Sequence, residues 1–320
     1  MKIVVLDGHT LNPGDLNWDM LKTFGDVTVF DRTAYKDVDI IKNIGDAEII
    51  FTNKTPINKS VLQSATALKY IGVLATGYNV VDIETAKLNG VTVTNVPDYS
   101  SQSVAQFTMA LILELCHHIG HHNLSVQQGD WVKSKDFSFW NYPLIELAGK
   151  TLGLIGFGKI GKATAKLAEA FGMKILVFNR TKYSEFENEN LRFTTLDDVL
   201  QNSDFISLHC PLTSETKGII NADSIKKMKD TAFLINTSRG PLVNELDLAN
   251  ALNNNKISGA AIDVISAEPM QAENPLLGAK NCIITPHIAW APKEARQRLM
   301  DTTIENLNAF LKGNPQNVVN

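Results

Sequence analysis

From residue 151 the chain reads Thr-Leu-Gly-Leu-Ile-Gly-Phe-Gly-Lys-Ile-Gly-Lys, so that an apolar run enters Gly156-x-Gly158-x-x-Gly161 and continues into a segment with helical apolar spacing. A second apolar run follows at 175–178. Strand, glycine turn, helix and strand make a βαβ unit in which each glycine has its own task. Gly156 permits the sharp strand-to-helix turn, Gly158 leaves room for a bound group to approach the backbone, and Gly161 lets the helix lie close on the sheet. The free N–H groups and positive dipole end of the helix start suit an anion. Together these are the requirements of a dinucleotide pyrophosphate.

The same alternation runs along the rest of the chain. Apolar runs at 3–6, 27–30, 49–51, 70–74 and 91–94 precede the motif, and others at 205–208, 233–236, 259–264 and 282–285 follow it. Strands alternating with helices predict parallel sheets covered by helices, an α/β fold. At 320 residues the chain is long enough for two such domains, each with its own core. The second α/β region is expected over about residues 100 to 287. The apolar stretch 103–118 reads as a largely buried helix crossing between the domains, with Ser100, Ser101 or Ser103 to cap it and a face available for homodimerisation. Residues 291–311 read as an amphipathic helix ended by Gly313 and Pro315.

A net charge of −4 gives no electrostatic footprint for nucleic acid or an anionic membrane, which leaves small molecules or other proteins as partners. The first apolar run is too short for a signal peptide and no run reaches membrane-spanning length, so a cytoplasmic location is expected. Cys116, Cys210 and Cys282 lack metal-binding or redox spacing and read as reduced, packed thiols.

Open parallel sheets bind ligands beyond the carboxyl ends of their strands. The residues there are Thr76-Gly77, His209-Cys210-Pro211, Thr237-Ser238-Arg239, Asp263 and Pro286-His287, and one site in an interdomain cleft would collect them. Arg239 can grip a carboxylate with two parallel hydrogen bonds or serve in a surface ion pair. Glu268 and His287 follow successive apolar runs, and adjacent strand ends would bring them together. A carboxylate against an imidazole fixes its tautomer and favours its protonated form, as acid–base chemistry on an alcohol or carbonyl requires. His209 has no evident carboxylate partner and reads as structural or cofactor-lining. His117, His118, His121 and His122 form two i, i+4 pairs of the kind that chelate metals, but Gly120 weakens a helix there and no further ligand set is evident, so no metal is assigned.

These pieces occur in the order found in the D-isomer-specific 2-hydroxyacid dehydrogenases: the glycine motif, His209-Cys210-Pro211-Leu212-Thr213, Asn236-Thr237-Ser238-Arg239-Gly240, Asp263-Val264 through Glu268-Pro269, and Thr285-Pro286-His287-Ile288-Ala289. The match covers essentially the whole chain. Residues 137–149, and Trp290-Ala291 with 294–299, look closest to the glycerate dehydrogenase or hydroxypyruvate reductase branch. The lack of a further C-terminal domain argues against the longer phosphoglycerate dehydrogenases.

The resemblance implies two Rossmann-like or flavodoxin-like parallel-sheet domains: a discontinuous substrate domain, 1–99 plus 289–320, and a dinucleotide-binding domain, 100–288. It implies that Arg239 binds the substrate carboxylate and polarises the carbonyl, that His287 delivers a proton to the carbonyl oxygen, and that Glu268 orients and charges His287. Thr76 and Gly77 would cradle the carboxylate. Gly156, Gly158, Lys159, Ile160, Gly161, Asn179, Arg180, Cys210, Pro211, Thr216, Thr237, Ser238, Asp263 and Ala289 would bind NAD or NADP. The acidic residue that holds the ribose in NAD-specific proteins is replaced by Asn179, followed by Arg180 and Lys182, which leans towards NADP because cations can pair with a 2'-phosphate. Trp140 or Trp290 would border the substrate, and Trp140 could reach across a dimer interface. The implied activity is reduction of a small 2-oxo acid, hydroxypyruvate or glyoxylate, to the D-2-hydroxy acid. The alternatives are a D-lactate dehydrogenase acting on pyruvate, or a cofactor-sensing corepressor or scaffold. Glu268 as the histidine's partner disfavours formate dehydrogenase.

Overall fold

Strands buried on both faces organise the first unit, Met1–Ser100 with Trp290–Asn320, of a computed structural model that describes residues 1–320. Its strands β1 (Lys2–Val5), β2 (Asp26–Val29), β3 (Ile49–Thr52), β4 (Tyr70–Val73) and β5 (Thr92–Thr94) pair in parallel in the order β2-β1-β3-β4-β5. Successive side chains point to opposite faces, so Val4 and Leu6 join one apolar cluster with Ile50, Ile71 and Val73, and Ile3 and Val5 join the other with Ile49, Phe51 and Tyr70. The helix Lys293–Leu311 closes the second face with Ala295, Leu299 and Leu307. Where the strand order reverses, between β1 and β3, the buried Asp7 carboxylate accepts the amides of Asn53 at 2.7 Å, Lys54 at 2.6 Å and Thr55 at 2.8 Å.

The second unit is Ser101–Ala289. It contains β6 (Thr151–Ile155), β7 (Lys174–Phe178), β8 (Leu191–Phe193), β9 (Phe205–Leu208), β10 (Phe233–Asn236), β11 (Gly259–Ile262) and β12 (Cys282–Ile284), all parallel, in the order β12-β11-β10-β9-β6-β7-β8. The expected architecture of two parallel-sheet α/β domains is met. The three-residue edge strand β8 was not anticipated, because Leu-Arg-Phe is too short to show a period.

The helix Ser101–His117 departs from expectation in what it covers. Met109, Leu111, Ile112, Leu115 and Cys116 pack with Leu152, Ala165 and Ile175 in the core of their own unit. Its large apolar side chains therefore pack within the unit, and none of them is exposed. The helix ends within a residue of the expected position: His118 adopts a left-handed conformation with φ 47°, and a separate helix runs over Ile119–Gln127. His117 and His121 thus lie on different helices, which dissolves the i, i+4 pairing. His122 Nδ1 lies 2.9 Å from the His118 carbonyl, and its Nε2 accepts the Asn141 amide at 3.1 Å. No group of three or more His, Cys, Asp or Glu side chains is placed to hold a metal ion.

Candidate active site

The glycine turn follows β6 at the point where the second sheet reverses order, with β9 on one side and β7 on the other. Gly156 has φ +103°, and a Cβ there would lie 2.5 Å from the Cys210 amide nitrogen and 2.5 Å from the His209 carbonyl carbon. At Gly161 a Cβ would meet the Gly156 carbonyl oxygen at 2.6 Å. Both glycines are thus demanded by the protein's own packing. Gly158 differs, because nothing lies within 4 Å of where its Cβ would be. It is the N-cap of the helix Lys159–Ala170 and carries no side chain to satisfy the first-turn amides, which include those of Ile160 and Gly161. An open approach to a helix start fits a dinucleotide pyrophosphate.

At the end of β7, Asn179 Oδ1 accepts the Phe157 amide at 3.0 Å while its Nδ2 donates to the Thr181 carbonyl at 2.6 Å. Arg180 is exposed. Lys182, read from sequence as a second cation for a 2'-phosphate, is instead paired with Glu187 at 2.9 Å.

After β9, His209 Nε2 meets the Ser207 hydroxyl at 2.9 Å, and burial pushes its pKa down to about 4. The ring is therefore neutral near pH 7, unsuited to donating a proton to a carbonyl. Burial also pushes the Cys210 thiol up to about 11, and the Cys210 carbonyl accepts the Ser238 hydroxyl at 2.8 Å. Beyond Pro211, Thr216 Oγ1 donates to the Pro211 carbonyl at 2.6 Å and accepts the Thr213 amide at 2.8 Å, which shapes the loop.

After β10, the buried Asn236 holds a tight turn by accepting the Ser238 amide at 3.0 Å and donating to the Arg239 carbonyl at 2.9 Å. Thr237 Oγ1 lies 3.0 Å from Thr108 Oγ1 on the helix Ser101–His117. The Arg239 guanidinium is exposed, with Nη1 donating to the Ser238 carbonyl at 2.7 Å.

After β11, Asp263 is 1% exposed. Its Oδ1 accepts the Thr285 hydroxyl at 2.6 Å and the Ile288 amide at 2.9 Å, and its Oδ2 accepts the Ala289 amide at 3.0 Å. The His287 amide donates to the Asp263 carbonyl at 2.8 Å. Asp263 therefore anchors the turn after β12, and this role was not read from sequence. The signal for it was an Asp ending a fully apolar run, where a buried carboxylate needs several donors. The turn holds His287 at φ 55°, a conformation L-residues rarely adopt unless their surroundings impose it.

From this turn His287 Nδ1 meets Glu268 Oε2 at 2.7 Å, and Glu268 Oε1 accepts the Ile265 amide at 3.2 Å. Adjacent strands β11 and β12 thus bring the acid and the imidazole together, with about a third of each side chain exposed, 34% and 31%. The carboxylate is matched to an Nδ1–H, which leaves the ring's acid–base exchange to Nε2. Thr76 and Gly77 belong to the first unit, where Thr76 Oγ1 donates to the Val96 carbonyl at 2.9 Å and the Thr76 carbonyl accepts from Asn95 at 2.7 Å. Trp290 packs edge-on against Tyr99, with ring centroids 6.4 Å apart, and Trp140 is 64% exposed.

The family model for the D-isomer specific 2-hydroxyacid dehydrogenase, NAD binding domain, matches residues 109–289. The chain belongs to the D-isomer-specific 2-hydroxyacid dehydrogenases. Over 321 residues it is 56% identical to the hydroxypyruvate reductase of Blautia hydrogenotrophica, covering 100% of both chains. It is 44% identical to the glycerate dehydrogenase of Methylorubrum extorquens, covering 99% of this chain and 98% of that one. A solved D-lactate dehydrogenase from Lactobacillus jensenii, with NAD+, superposes with a TM-score of 0.82 at 26% identity, each chain covered in full. The resemblance read from the motifs holds: this D-2-hydroxyacid dehydrogenase is an NAD(P)-dependent oxidoreductase of the glycerate dehydrogenase and hydroxypyruvate reductase branch.

Proposed function

We propose that the enzyme reduces hydroxypyruvate, and glyoxylate as a smaller alternative, to the D-2-hydroxy acid, with His287 as the proton donor. The observation that carries this reading is the 2.7 Å contact between His287 Nδ1 and Glu268 Oε2 at the ends of two adjacent strands. The nicotinamide, when bound, supplies the hydride. Arg239 binds the substrate carboxylate and polarises the 2-oxo group. Glu268 accepts from the Nδ1–H and fixes the ring's tautomer and orientation, so that Nε2 gives its proton to the carbonyl oxygen as charge develops there. The first-turn residues Lys159, Ile160 and Gly161 hold the pyrophosphate. The carbonyls near Cys210 and Thr237, with the Asp263 Oδ2 lone pair left after Ala289, receive the carboxamide and ribose.

The choice of cofactor leans towards NADP, because Asn179 places no carboxylate at the ribose and Arg180 is exposed beside it. A homodimer is proposed from the segment after the helix Ser101–His117. Ile119, Leu124, Trp131, Val132, Phe137, Trp140 and Leu144 are each more than half exposed, and a run of this kind on a monomer marks a surface for a partner. Three free cysteines and a redox cofactor accord with the reducing cytoplasm.

The test compares initial rates with hydroxypyruvate, glyoxylate and pyruvate, each with NADPH and NADH, in the wild type and in His287→Ala. Turnover fastest with hydroxypyruvate and NADPH, lowered about 100-fold or more in His287→Ala with cofactor affinity unchanged, is the expected result. Pyruvate as the preferred substrate would replace the reading with a D-lactate dehydrogenase, and near-normal turnover in the variant would remove His287 from proton transfer.

A further inference from the structure

Glu268 is carried by the irregular loop between β11 and β12, so something other than regular structure must keep its carboxylate at His287. Two features of the segment that begins at Arg239 do so. Gly240 lies directly against the loop backbone: a Cβ there would fall 2.0 Å from the Ile265 carbonyl carbon and 2.4 Å from the Ser266 amide nitrogen. Five residues on, at the start of the helix Glu245–Asn253, the Glu245 carboxylate turns to the loop instead of to its own helix. Oε1 accepts the Ser266 amide at 2.6 Å, and Oε2 accepts Asn274 Nδ2 at 2.8 Å. Asn274 in turn accepts the Leu276 amide at 2.9 Å, and Leu276 is sealed in the core. One carboxylate therefore ties the loop on both sides of Glu268, at Ser266 and at Asn274. Charge-assisted hydrogen bonds to a carboxylate are about twice as strong as neutral ones, so the tie holds the loop more firmly than neutral contacts of the same number would.

We propose that Glu245 is a positioning residue for the reaction: by clamping Ser266 and Asn274 it holds the Glu268 carboxylate against His287. The segment that presents Arg239 to the substrate carboxylate is thereby the segment that fixes the partner of the proton donor, so the two halves of the site are held in register by one stretch of chain. The proposal rests on the reading of Glu268 and His287 as the acid–base pair.

The experiment measures kcat, KM and melting temperature for Glu245→Ala, Glu245→Gln, Asn274→Ala, Glu268→Gln and the double variant Glu245→Ala/Glu268→Gln. Glu245→Ala is expected to lower kcat about 10-fold or more with KM for the 2-oxo acid within about 2-fold, since Arg239 is untouched and positioning errors act on the chemical step. Glu245→Gln keeps an acceptor for the Ser266 amide and is expected to recover most of that loss, while Asn274→Ala, which loosens one side only, falls between. If Glu245 acts through Glu268, its effect on kcat shrinks to about 2-fold or less in the Glu268→Gln background, whereas its effect on melting temperature persists. An undiminished kcat effect in that background overturns the proposal, as does an unchanged kcat in Glu245→Ala or, should that variant not fold, in Asn274→Ala. A wild-type kcat in Glu268→Gln itself would instead overturn the underlying reading of the site.

Discussion

The Phe157 amide, in the middle of the glycine turn, donates to Asn179 Oδ1 at 3.0 Å, so the side chain at the end of β7 closes the turn that it follows. With its Nδ2 on the Thr181 carbonyl, Asn179 has both polar atoms engaged and presents no carboxylate to a ribose. Lys182 is engaged with Glu187, so the proposed NADPH preference turns on Arg180. Arg180→Ala is expected to raise the NADPH dissociation constant about 10-fold while leaving that of NADH within about 2-fold, as judged by fluorescence titration. Equal weakening for both cofactors would show that Arg180 does not read the 2'-phosphate.

The three glycines separate folding from binding. Gly156→Ala puts a Cβ at φ +103° and 2.5 Å from two backbone atoms, and is expected to cost about 3 kcal/mol or more, seen as a large drop in melting temperature or insoluble protein. Gly158→Ala meets nothing and should leave stability within about 0.5 kcal/mol, yet raise the dissociation constant for either cofactor about 10-fold by filling the pyrophosphate approach. Unaltered cofactor affinity in Gly158→Ala would place the pyrophosphate elsewhere.

Most of this architecture was legible in the chain. Runs such as Phe205–Leu208 and Phe233–Asn236 are apolar on both faces and bounded by polar residues, which is how buried parallel strands read, and their ends placed Arg239, Glu268 and His287. What escaped depends on contacts between distant residues. Asp263, an acid ending an apolar run, could be read as a buried carboxylate in need of donors, but not which donors, because Thr285, Ile288 and Ala289 lie beyond the next strand. Glu245 looked like an ordinary acid in a helix's first turn, and only the folded loop shows it reaching Ser266 and Asn274. The histidines at 117–122 could be read as helical pairs, and nothing in the residue type of His118 announces the left-handed backbone that puts His117 and His121 on separate helices.

Asp263→Asn is expected to lower the melting temperature by roughly 4–12 °C. The variant presents an N–H to a donor in place of an acceptor, among Thr285 Oγ1, Ile288 and Ala289, and leaving a buried donor unmatched costs about 2–3 kcal/mol. Thr285→Val removes one donor without creating a clash and should cost only about 1 kcal/mol. Asp263→Asn should also lower kcat, because the turn that imposes the φ of 55° on His287 loosens. A stable variant with normal kcat would mean that the turn holds without the carboxylate.

His209 sets a pH dependence of stability. Burial pushes its pKa from 6.5 down to about 4, so between those values the unfolded chain carries a proton that the folded chain refuses. Stability from this residue is fully present above pH 6.5, and is lost as the pH falls towards about 4. A sealed ring would lose about 3 kcal/mol across the window, and the partial solvent access of His209 reduces this to about 1–2 kcal/mol. His209→Gln keeps a partner for the Ser207 hydroxyl but does not titrate, while the acid-labile carboxylates contribute equally to both proteins. The melting temperature of the wild type should therefore fall further than that of His209→Gln between pH 6.5 and 4.5. Parallel curves would mean that His209 is protonated in the folded protein, which would restore it as a rival to His287 for the proton-transfer role.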